Sequence, residues 1–114
     1  MRDWPLLTTA RRRIVPPVHA VVNRLTFTDP VSPELVARLR DDAMPRVRAG
    51  GCLEANVVQT GERELHLVLL FAAPGDADRM MQEVGSPWMR EHVVPLLAGP
   101  TDRRVGEVVA TTRE

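Results

Sequence analysis

The chain has 114 residues, 44% of them apolar and 26% charged, which suits one compact domain and excludes a wholly disordered polymer. Fifteen basic and fifteen acidic side chains cancel, so no overall field draws nucleic acid or an anionic membrane. One cysteine excludes an internal disulfide framework, and no apolar run approaches the roughly 20 residues of a membrane-spanning helix.

Residues 1–17 read as an N-terminal arm, separate from a domain over residues 18–112. The arm carries Arg11, Arg12 and Arg13 before a Pro16-Pro17 stop, with Trp4, Leu6 and Leu7 as apolar anchors. It lacks the apolar stretch of a secretory signal, so a cytoplasmic location is expected. Val18 to Thr28 reads as a strand, rich in β-branched residues and ended by Asp29-Pro30. Ser32-Pro33 is a helix start, and Val36, Leu39, Ala43 and Val47 follow at helical spacing. Pro45 is expected to kink or shorten that helix, and Gly50-Gly51 to stop it. Cys52 to Thr60 and Glu64 to Ala73 read as strands of a hairpin turning at Gly61-Glu62-Arg63. A short helix is predicted over Asp76 to Val84. Gly85 should then break the chain, with Ser86-Pro87 capping a new helix through Trp88 to about Leu97. Arg103 to Thr112 reads as the last strand. The order is that of an α+β ferredoxin-like fold, a split βαβ (β-α-β-β-α-β) antiparallel sheet with its helices on one face.

The strands carry apolar residues on both faces. On the first, Val18, Ala20 and Val22 oppose Val21, Leu25 and Phe27; on the third, Leu65, Leu67, Leu69 and Phe71 alternate with Val68 and Leu70. If about a dozen aliphatic side chains on the uncovered face each lost ~40 Å2 to water, the exposed patch would approach ~500 Å2, the upper end for monomers. A homodimer joined through that face is therefore expected.

The residue inventory narrows the chemistry. Every basic residue is arginine, which excludes lysine Schiff-base and P-loop chemistry, and there is no tyrosine. Asn23 shares a strand face with Val21, Leu25 and Phe27; a buried amide there either bonds to nearby backbone or water, or is aimed at a ligand oxygen. Trp88 and His92 are four residues apart, on one helix face, which suits a flat aromatic ligand and equally an ordinary packed helix. His19 and His66 lack the spacing of a metal pair, so no protein metal site is expected. Cys52 reads as a buried thiol, and Asp41-Asp42 and Arg103-Arg104 as surface charge.

Three stretches resemble the dimeric α+β barrel superfamily, and within it the antibiotic biosynthesis monooxygenase branch. They are Asn23-Arg24-Leu25-Thr26, Gly50-Gly51 before the second strand, and Ser86-Pro87-Trp88-Met89-Arg90-Glu91-His92 with Pro95-Leu96-Leu97. The resemblance implies a small cofactor-independent monooxygenase of secondary metabolism, acting on a polycyclic aromatic or other hydrophobic metabolite. In such enzymes an electron-rich phenol, deprotonated in the pocket, passes an electron to dioxygen. Asn23 and His92 would be the catalytic pair, with Trp88, Phe27, Leu25, Met81 and Arg24 binding the substrate. A ligand site of this kind implies a pocket of at least ~300 Å3 holding both Asn23 and His92. The haem-degrading relatives imply haem as an alternative ligand, with His92 on the iron; where they carry a tryptophan, this chain has Gln82. A cyclase or isomerase on the same scaffold, or a non-catalytic binder of haem or a hydrophobic ligand, are the other readings.

Overall fold

The computed structural model describes residues 18–112, and the expected N-terminal arm lies outside that range. Strands β1 (His19–Thr26), β2 (Glu54–Gly61), β3 (Glu64–Phe71) and β4 (Asp102–Glu107) form one antiparallel sheet in the order β2-β3-β1-β4. Helices α1 (Pro33–Arg38) and α2 (Met44–Ala49) connect β1 to β2. Helices α3 (Pro74–Met80) and α4 (Ser86–His92), with a 3-10 turn at Val94–Leu96, connect β3 to β4. This is the ferredoxin-like arrangement that the element order implies.

Local signals set the first helix. The Ser32 hydroxyl accepts from the Leu35 N–H at 3.1 Å and Pro33 occupies the first turn, where no N–H is needed. Pro45 does not end the helix, because a π-helical turn over Leu39–Ala43 links α1 to α2. The same device links α3 to α4: residues Met81–Gly85 form a π-turn, and Ser86, with φ −65° and ψ −43°, is helical rather than a cap. The expected break at Gly85 is therefore absent. A proline inside a helix removes one N–H and crowds the carbonyl four residues back. In both connections the widened turn sits just ahead of the proline, Pro45 or Pro87, and the Met44 and Ser86 amides reach back five residues, to Leu39 and Met81. β4 ends at Glu107 rather than Thr112, and Val109 beyond it is 90% exposed.

Alternation along β1 and β3 divides the sheet. Val21, Asn23, Leu25, Leu65, Leu67, Leu69 and Phe71 are buried beneath the helices. The core has two lobes. One gathers Leu25, Phe27, Leu35, Leu39, Leu65, Trp88 and Val93; the other gathers Val21, Val47, Cys52, Leu69, Phe71, Ala77 and Met80. Asn23 stands on β1 between Val21 of one lobe and Leu25 of the other.

The opposite sheet face is less apolar than the sequence pattern suggested. Within the four strands its aliphatic residues are Ala20, Val22, Val58, Val68 and Leu70, with Val18 just before β1, and the strand register intersperses them with Arg24, Glu54, Asn56, His66, Asp102 and Arg104. The apolar positions thus form a band between charged neighbours. The expected patch of about a dozen aliphatic side chains shrinks accordingly.

Gly51 holds φ +102° where α2 turns into β2. An L side chain there costs about 1–2 kcal/mol. Gly51→Ala should therefore lower the urea unfolding midpoint by that equivalent with an unchanged m value.

Candidate functional site

At the seam between the two core lobes lies a cavity of about 40 Å3. The sheet forms its floor through Val21, Asn23, Leu67 and Leu69. Its roof comes from both π-turns, through Leu39, Ala43, Met81, Val84 and Gly85, and from Met44, Met80, Trp88 and Met89 around them. Widened helical turns thus face each other above the one buried polar residue of the described core.

Asn23 is 5% exposed, and its Oδ1 has no hydrogen-bond partner. An unpaired buried amide oxygen costs about 1–3 kcal/mol. Natural cores keep such groups rarely, so this one is explained by a function or by a molecule that satisfies it. No ionisable side chain lines the cavity.

Trp88 forms the wall between this cavity and an outer groove of about 580 Å3. Asp42, Arg46, Glu83, Pro87, Glu91 and His92 line the groove, and Val84 and Trp88 face both spaces. Asp42 fixes the wall. Its Oδ2 accepts from the Trp88 indole N–H at 2.8 Å, and its Oδ1 accepts from the Arg46 Nε at 2.7 Å. These two bonds, the indole's first, hold the Asp42 carboxyl below the ordinary aspartate range. The expectation that Asp42 is plain surface charge is therefore corrected: it ties the π-turn of the first helical connection to the second. Nothing local in the sequence reveals this, because 46 positions separate the partners.

The structure does not bring Asn23 and His92 into one cavity. The His92 ring lies against Trp88 on the groove side, centroids 4.6 Å apart at 43°. Arg38 Nη1 donates to His92 Nδ1 at 3.3 Å. A guanidinium can only donate, so Nδ1 carries the lone pair and the ring proton resides on Nε2, which faces Glu91 at 3.8 Å. Among the other expected substrate contacts, Trp88 and Met81 line the cavity. Leu25 and Phe27 pack inside one core lobe instead. Arg24 lies on the opposite sheet face beside Glu64, at 3.7 Å. Alternation places it there, since Asn23 points inward. Sequence reasoning missed Met44, Met80, Met89, Val84 and Gly85. The methionines were legible only as helix residues, and the cavity they roof follows from the π-turns.

The closed cavity does not hold haem. The space above Asn23 has room for a few water molecules, far below the ~300 Å3 of a small-ligand pocket. The one imidazole near it points its free nitrogen at an arginine, which repels a metal cation. Cys52 is no alternative centre: its thiol donates to the carbonyls of Glu54 and Leu70, and burial pushes its pKa up.

No family model matches the sequence, and no curated protein does. Solved structures do. A protein of Caulobacter crescentus, inferred to be an antibiotic biosynthesis monooxygenase, superposes with a TM-score of 0.68 at 17% identity, over 89% of this chain and 99% of that one. A mutant of SnoaB, a cofactor-independent oxygenase from Streptomyces nogalater, gives 0.67 at 14% identity, over 85% and 98%. A dimeric ferredoxin-like protein from an uncultured marine organism gives 0.61 at 14% identity, over 86% and 93%. The chain therefore has the ferredoxin-like fold of the antibiotic biosynthesis monooxygenase-like structures. At these identities the likeness establishes the fold and leaves the reaction to the site.

The Asp42 contacts predict an acid transition. A carboxyl whose folded pKa is depressed contributes stability above its unfolded value of about 3.9, and the contribution is lost as pH falls through the lower folded value. In a Trp4→Phe background, Trp88 emission should hold steady through neutral pH. It should then change with a midpoint below about 3.9. Asp42→Asn should abolish that transition.

Proposed function

We propose that the cavity above Asn23 is the substrate site of a small cofactor-independent monooxygenase acting on a phenolic, polycyclic aromatic or similarly hydrophobic metabolite. The observation that carries this reading is the unpaired Asn23 Oδ1 in an otherwise apolar cavity. Such a site selects a neutral, greasy body bearing one polar group. The likeness to a cofactor-independent oxygenase supports the same chemistry.

The reaction needs little from the protein. A phenol donates its O–H to Asn23 Oδ1. When it ionises, a half-turn of the amide presents the Nδ2 hydrogens to the phenolate. For an anthrone, the ring methylene becomes a carbonyl: two hydrogens leave, one oxygen atom of O2 is inserted, and the other departs as water. The methylene loses four electrons and O2 accepts four, so no external reductant enters. With substrate in place, the apolar walls of Met44, Met80, Met81, Met89 and Trp88 lower the local dielectric and strengthen the amide's dipole on the substrate oxygen. His92 takes the phenol's proton in this reading. That requires Nδ1 to leave Arg38 and the Trp88 ring to turn aside.

The reading also takes the protein as a homodimer. Support comes from the apolar band on the outer sheet face and from the dimeric ferredoxin-like neighbour.

Asn23→Leu separates function from stability. It replaces an unsatisfied amide with an apolar group of similar volume, so the Tm should rise. Oxygen uptake with anthrone should fall about a hundredfold, the usual loss for one preorganised donor. Unchanged uptake would remove Asn23 from the chemistry. For assembly, Val68→Asp places a charge at the centre of the outer band, and sedimentation should then show a folded monomer. A wild-type protein that is already monomeric would overturn the dimer.

A further inference from the structure

We infer that Asp42 is a positioning residue for the substrate site, holding Trp88 as a movable partition between the Asn23 cavity and the outer groove. This rests on the reading of the cavity as a substrate site. Three observations carry it. The cavity, at about 40 Å3, is too small for any aromatic ring, so a wall must move before an aromatic body can reach Asn23. Trp88 is the ring-bearing wall, and about 580 Å3 lies directly behind it. The ring packs at the edge of its core lobe, and its one hydrogen bond is the 2.8 Å contact from the indole N–H to Asp42, beside its tilted contact with His92.

Turning Trp88 off Asp42 joins the two spaces. The joined site has Asn23 at its inner end and Arg46, Glu83, Glu91 and His92 at its outer end. It takes an aromatic body too large for the closed cavity, its phenolic end inward and its polar end towards the groove. The floor is fixed by the sheet, since Val21, Leu67 and Leu69 belong to paired strands. The roof can follow the ring, because the unbranched side chains of Met44, Met81 and Met89 repack easily. Gly85 assists: a Cβ there would stand 3.0 Å from the Met81 Sδ, so its absence leaves the thioether space beside the partition. Asp42 thereby sets how often the site is open. A ligand that binds only the open form has its apparent affinity lowered by the open fraction.

The test uses the full chain in a Trp4→Phe background, so that Trp88 is the remaining indole, with 1-naphthol as the probe. Asp42→Ala should increase quenching of Trp88 by acrylamide and lower the 1-naphthol Kd by about tenfold, as expected if the wild-type open state is populated to about 10%. Arg46→Gln removes the other Asp42 partner and leaves the indole bond, so Trp88 quenching should match wild type. Asp42→Asn keeps an acceptor oxygen for the indole and should also stay near wild type. Equal Trp88 quenching in Asp42→Ala and Arg46→Gln would overturn the inference. So would a released Trp88 with an unchanged Kd. A general loss of packing would lower the Tm without improving 1-naphthol affinity, and that result also counts against it. Binding that Asn23→Ala weakens but Asp42→Ala leaves unchanged defeats the partition alone. An absence of 1-naphthol binding in every variant defeats the substrate site and the partition together.

Discussion

Two prolines inside helices govern the centre of this molecule. Pro45 and Pro87 each lack the amide hydrogen an α-helix requires, and each follows a π-turn that accommodates it. A π-turn widens the helix locally and shifts the side chains after it. Because both turns lie over the same stretch of sheet, the roof does not close fully onto β1, and a small, mainly apolar space remains above Asn23. The core divides into two lobes there. Apolar residues fill each lobe, while the polar residue sits at the join.

The same join is where the two helical connections are tied. Asp42 belongs to the first π-turn, and its carboxylate accepts from an indole on α4. The bond crosses the seam from outside, beside the groove, where water still reaches the carboxylate. It fixes the orientation of a large ring more than it adds to stability, since exposed polar contacts contribute little. A site roofed by methionines and one tethered tryptophan is adaptable in shape but keeps one preferred closed form.

The resemblance and the geometry carry different parts of the reading. Likeness to antibiotic biosynthesis monooxygenase-like structures accounts for the sheet order and the position of the helices. The orphaned amide oxygen belongs to this chain's own side chains, and it is the stronger guide to chemistry. Under the proposed function, an apolar space with one neutral dipole suits substrates that bring their own reactivity, as electron-rich phenols do. It offers no charged side chain for general acid or base work in its closed form.

Much of this was legible in one dimension, for a physical reason. Strand alternation has a period of two, so Val21, Asn23, Leu25 and Phe27 had to share a face and Arg24 had to leave it. Ser32-Pro33 announces a helix start because capping is local, needing only the N–H groups of the next turn. Ser86-Pro87 carries the same local signal and means something else, because a π-turn upstream had already accommodated the proline. Element order gave the fold class through chain connectivity. What remained hidden depends on partners distant in sequence. The Asp42–Trp88 bond, the separation of His92 from Asn23 by the ring between them, and the charges interspersed in the outer sheet face all come from how layers and strands register in three dimensions. Periodicity states which way a side chain points; only packing decides what it meets.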